Sequence, residues 1–62
     1  MTSVTELART AYRAYCRSCG GVSIRGEYLP TWEELPVKIK SNWECSALAV
    51  KKQILKDLNR DT

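Results

Sequence analysis

Cys16, Cys19 and Cys45 are the three side chains of this 62-residue chain best suited to metal, redox or nucleophilic chemistry. Cys16-Arg17-Ser18-Cys19 has the two-residue spacing of half a zinc site. The other half is missing, because Cys45 stands alone and there is no histidine. A three-thiolate site would need a carboxylate or an outside ligand to complete a tetrahedron. The thiols therefore read as small, mostly buried side chains, and no metal or cofactor is expected. A thioredoxin-like redox pair belongs beside a strand in a βαβ unit, whereas this pair falls at a helix end. A cysteine nucleophile needs an activating base, and none stands near these three in sequence. Without histidine the commonest general base is also lost. Glu33 and Glu34 sit in the first turn of a helix, where the macrodipole favours carboxylates for structural reasons. Gly20-Gly21 reads as a helix stop rather than a phosphate loop. The expectation is a protein with no enzymatic activity and no catalytic residues.

The basic side chains are the second chemical candidate. Ten Lys and Arg face seven Asp and Glu, for a net charge of +3 and an isoelectric point near 8.9. Arg9, Arg13 and Arg17 recur every four residues; Lys51, Lys52 and Lys56 form a cluster; Lys38 and Lys40 flank a corner. Such groups can face phosphates. They also make ordinary solvated helix faces, and Glu6, Glu44, Asp57 and Asp61 dilute the field. Trp32, Trp43, Tyr12, Tyr15 and Tyr28 could stack on bases, but aromatics at helical spacing are more often core.

The elements that position these groups read as helices. Ser3-Val4-Thr5-Glu6 is a capping box, so a first helix is predicted over about 4–18. Val4, Leu7, Ala8, Ala11, Tyr12 and Tyr15 make one apolar stripe along it. Gly20-Gly21 ends it. Residues 18–30 read as an ordered loop, with a brief extended piece at 22–24 and a turn at Gly26. Ile24, Tyr28 and Leu29 are expected to fold back as a lid. Thr31 and Glu34 form another capping box, and Pro36 has the φ angle suited to the first position of a helix. The stretch encodes a one-turn helix at 32–35, a corner, and a long helix over about 36–59. Trp32, Leu35, Pro36 and Trp43 form the structural corner. Trp32, Leu35, Ile39, Trp43 and Ala47 are expected to pack on Leu7, Ala11 and Tyr15.

Length decides what else is needed. A chain this short is one small domain, residues 1–62, with a marginal core. Three cysteines and no secretory signal at Met1-Thr2-Ser3-Val4 argue against disulfides and for a reducing cytosol. No apolar run approaches the roughly 20 residues of a membrane span. The long helix, some 23 residues, would reach roughly 35 Å at 1.5 Å per residue, more than a globule of this size is wide. Ile39, Trp43, Ala47, Val50, Ile54 and Leu58 run down one face of it, widened by Leu48 and Leu55. The first helix cannot cover them all. The expectation is an all-α protein forming a helical homodimer through Leu48, Val50, Ile54, Leu55 and Leu58.

Two resemblances bear on function. Trp32-x-x-Leu35, Lys40, Trp43, Ala47, Lys51 and Ile54 resemble the second half of an HMG box. That similarity implies an angular helical fold and, as the alternative function, a small DNA-binding module using Arg9, Arg13, Arg17, Lys51, Lys52 and Lys56. Most of the chain is similar to small early-region accessory proteins of lambda-like tailed phages. The resemblance rests on Ala11-Tyr12-Arg13-Ala14-Tyr15-Cys16, Gly20-Gly21, Leu29-Pro30-Thr31-Trp32-Glu33-Glu34-Leu35-Pro36 and Trp43. It implies a regulatory protein in the host cytoplasm that acts by binding a host or phage protein, with no catalytic residues.

Overall fold

Ser3 stands in extended backbone and its hydroxyl accepts the Glu6 amide at 3.1 Å, which starts the first helix, α1, at Val4–Ser18. The computed structural model of the protein describes residues 2–60. At the far end Gly20 takes the left-handed φ of 67° that a side chain resists. The Gly21 amide then reaches back to the Cys16 carbonyl and the Gly20 amide to that of Arg17, a Schellman stop. The chain next makes a narrow loop in which Val22 bridges Tyr28 and Gly26 supplies the turn at φ 83°. Thr31 and Glu34 close the predicted capping box around a 3-10 turn, Trp32–Glu34. The second α-helix, α2, runs over Val37–Arg60.

The described residues form an all-helical fold, two α-helices and a 3-10 turn, as the sequence implied. Some details differ. The one-turn helix is 3-10 and ends at Glu34, with Leu35 already extended. Pro36 is not the first residue of α2 but stands just before it, its carbonyl accepting the Ile39 and Lys40 amides. The lid does not form: the bridge between Val22 and Tyr28 turns Ile24 and Tyr28 out to full exposure, leaving only Leu29 half-buried.

α1 lies across α2. Thr5, near its start, donates to the Glu44 carboxylate at 2.8 Å, and Tyr15, near its end, packs on Trp43 with ring centres 5.5 Å apart. Both ends of α1 thus meet the same turn of α2. The core is the crossing point: Ala8, Tyr12, Trp32, Leu35 and Ala47, with Val4, Leu7, Cys16 and Trp43 packed around it. The expected partners shift accordingly. Ala8 and Tyr12 are the buried centre of α1, while Ala11 is exposed and Ile39 lies outside the core. A helix crossing at an angle presents its stripe only where it touches, so the stripe's edges stay wet.

Tyr12 is the hub. It is 3% exposed, meets Tyr15, Trp32 and Trp43 ring to ring, and donates its hydroxyl to the Pro30 carbonyl at 2.6 Å. Removing only that oxygen in Tyr12→Phe should cost about 1 kcal/mol and lower the melting temperature by about 4–8 °C. Trp32→Ala empties a buried site and should cost roughly 3–5 kcal/mol, enough to unfold much of the population at room temperature. Trp43→Ala, at a half-buried site, should cost less. Thermal melts followed by circular dichroism rank the three.

Candidate functional site

α2 outruns the crossing. Its 24 residues make a rod of about 36 Å. The molecule measures 46 × 22 × 17 Å. Its radius of gyration is 13.8 Å, against about 10.5 Å for a compact domain of this length. Among the described residues Lys51 is the last that is half-buried; every residue from Lys52 to Arg60 is exposed. Helix formers without Gly or Pro keep this overhang helical, and the Gln53 amide donates to Asp57 one turn on at 2.9 Å.

Where α1 leaves α2, the two helices enclose an open groove of about 510 Å³. Leu7 and Ala11 form one wall and Val50, Ile54 and Leu55 the other, with Trp43 and Ala47 between them. Small Ala11 and Ala47 on adjoining faces are what leave the space. Ser46 also lines it, but its hydroxyl is engaged with the Asn42 carbonyl at 3.1 Å. Lys51 is the one charged side chain of the lining. A groove so lined can receive apolar side chains.

The structure gathers three of the five expected interface residues, Val50, Ile54 and Leu55, into this groove. Leu58, on the overhang, and Leu48 lie outside the lining, both exposed. Sequence reasoning missed Leu7, Ala11, Trp43 and Ala47 as parts of this surface, having assigned them to the core. The alanines were the available signal, since two small residues on facing helices leave a gap that larger ones would fill.

Of the expected basic contacts, Arg9 is half-buried on α1, and Lys52 and Lys56 are exposed on the α2 overhang. Arg13 and Arg17 border a second depression with Tyr12, Cys16 and the 29–33 segment, and this depression shares no residue with the apolar groove. Arg13 stands 4.0 Å from Glu33, an exposed ion pair. Lys40 lies over the Trp32 ring at 5.9 Å, a structural cation–π contact. Cys16 and Cys19 are half-buried near the end of α1 and Cys45 is exposed on α2, all three as free thiols. Among the described residues no three Cys, Asp or Glu side chains gather where they could hold a metal ion.

Titration properties follow the packing. Burial, then the neighbouring Cys16 thiol, pushes Tyr12 up to about 12. Tyr15 is also raised, chiefly by Cys19. The Thr31 amide and hydroxyl, each donating to the Glu34 carboxylate at 3.0 Å, hold that carboxyl below the usual range.

No protein-family model, curated protein or solved structure matches the chain. Among the described residues no helix is long and apolar enough to cross a membrane.

A raised pKa means that the fold prefers the neutral phenol. Its contribution is complete below pH 10 and is lost as pH climbs from 10 to about 12. Stability should therefore fall across that interval in the wild type and fall less in Tyr12→Phe. Denaturant titrations at a series of alkaline pH values read the difference.

Proposed function

We propose that this protein is a non-enzymatic regulatory binder that works by protein–protein contact. This is the role implied by its resemblance to accessory proteins of lambda-like tailed phages, which would place it in the host cytoplasm. One observation carries the reading: the apolar face running from the groove onto the α2 overhang has no cover among the described residues. Val50, Ile54, Leu55 and Leu58 are each half or more exposed. Contiguous apolar surface of this kind marks sites of macromolecular contact in soluble proteins.

The alternative, an HMG-box-like DNA-binding module, has the support of the Trp32, Leu35, Lys40 and Trp43 spacing and of the angular crossing of two helices. The placement of its charges favours it less. Lys51 belongs to the apolar groove, Arg13 and Arg17 to a separate depression, and Arg13 is paired with Glu33.

Salt separates the two. Binding to phosphates loses about one log unit of affinity per log unit of salt for each phosphate contacted, whereas an apolar contact holds. Immobilised wild-type protein should retain a protein partner from phage-infected bacteria through a high-salt wash. Leu55→Glu, which places a carboxylate on the groove wall, should release it. Steeply salt-dependent binding to duplex DNA that Leu55→Glu leaves intact would favour the alternative.

A further inference from the structure

The groove and the overhang belong to one strip of surface, and their shapes are opposite. The groove is concave, between the edge of α1 and the second half of α2. The overhang continues the Ile54 and Leu55 wall beyond the groove as a bare helix that carries Leu58 into solvent. We infer that each fits the other in a second copy: two molecules pair antiparallel along α2 about a two-fold axis near Ile54, each overhang entering the outer, Val50–Leu55 end of its partner's groove. The inference rests on the reading of this face as a protein-binding surface, and it names the occupant.

Three observations argue for a second copy. The first is area. The chain exposes 5163 Å², about 1,100 Å² more than the ~4,100 Å² expected of a folded monomer of its 7.1 kDa mass. A standard interface takes about 800 Å² from each partner, so the excess exceeds one partner's share, and it is divided between the exposed 24–28 loop and the α2 overhang. The second is spacing. Val50, Ile54 and Leu58 are four residues apart, so the ridge reads alike in both directions about Ile54. A two-fold axis there sets Val50 of each copy against Leu58 of the other, the self-complementary patch that a closed dimer requires. Ridges of this four-residue kind pack helix on helix. The third is shape, which selects the direction. A parallel pair would set groove against groove and leave both hollow. The antiparallel pair carries each overhang towards the Leu7 and Ala11 wall of the other copy.

Charge exchange tests both the pairing and its register. Wild-type protein should sediment at about 14 kDa, twice the chain mass. Val50→Glu alone should sediment at about 7 kDa, because each copy would press a carboxylate against an apolar Leu58. Leu58→Lys alone should do the same. Both sites are more than half exposed, so circular dichroism should show each variant still helical. An equimolar mixture of Val50→Glu and Leu58→Lys should return to about 14 kDa. In that pair one contact becomes an ion pair and the other stays wild type. A wild-type monomer at high concentration would overturn the inference. So would a wild-type dimer whose mixture stays monomeric while mixed Val50→Glu and Val50→Lys recover, which is the parallel signature. Failure here is distinct from failure of the broader reading. A monomer that still loses its retained partner through Leu55→Glu keeps the binder and removes only the second copy. A dimer that retains no partner through high salt keeps the pairing and removes the regulatory role.

Discussion

The bond from the Tyr12 hydroxyl to the Pro30 carbonyl is the constraint on which the rest of the molecule turns. It closes the long connection between α1 and the corner, and its ring is the surface on which Trp32 and Trp43 meet α1. A loop of that length costs entropy to close. Here the same side chain that closes it also fills the core, so the corner and the crossing form together. The Schellman stop at Gly20-Gly21 and the Thr31–Glu34 capping box fix the two ends of the connection. Between them the chain has little freedom in where it delivers Trp32.

A core held at one crossing point has a consequence for the rest of α2. Ala8, Tyr12, Trp32, Leu35 and Ala47 use the first half of that helix and nothing beyond it. Isolated helical turns are marginal in water, yet the second half inherits its nucleus from the first and meets no Gly or Pro. It continues, and its apolar side chains travel with it into solvent. The groove arises from the same geometry, because helices that cross diverge, and the angle between them is filled only if large side chains occupy it. Ala11 and Ala47 do not fill it.

Local signals made much of this legible before any coordinates. The limits of α1, the glycine stop and the presence of a short turn before the corner each depend on a few adjacent residues and were readable from caps, glycine and proline, whereas the turn's 3-10 form and the start of α2 after Pro36 were not. The overhang was readable too, since helix length and chain length are both printed in the sequence. What was not readable is relational. A stripe such as Leu7, Ala8, Ala11, Tyr12 and Tyr15 names a face, but the crossing angle chooses Ala8 and Tyr12 for the centre and leaves Ala11 on a groove wall. Ile24 and Tyr28 looked like a lid because they are apolar. The bridge between Val22 and Tyr28 is a backbone matter, and it settles their direction against their hydropathy. Of the expected interface residues, Val50, Ile54 and Leu55 lie together in the groove lining, while Leu48 and Leu58 lie outside it.

The choice between nucleic acid and protein as the natural neighbour can be weighed by what each would relieve. Fully burying a large apolar side chain is worth about 1.5–3 kcal/mol, and four such side chains on α2 stand about half in water. A phosphate backbone would answer Lys52, Lys56 and the arginine stripe, and would leave those four side chains as wet as before. A protein surface covers them and leaves the charges where they are. The net charge of +3 is too small to drive association by itself. Apolar cover is therefore the larger unrealised term in this molecule.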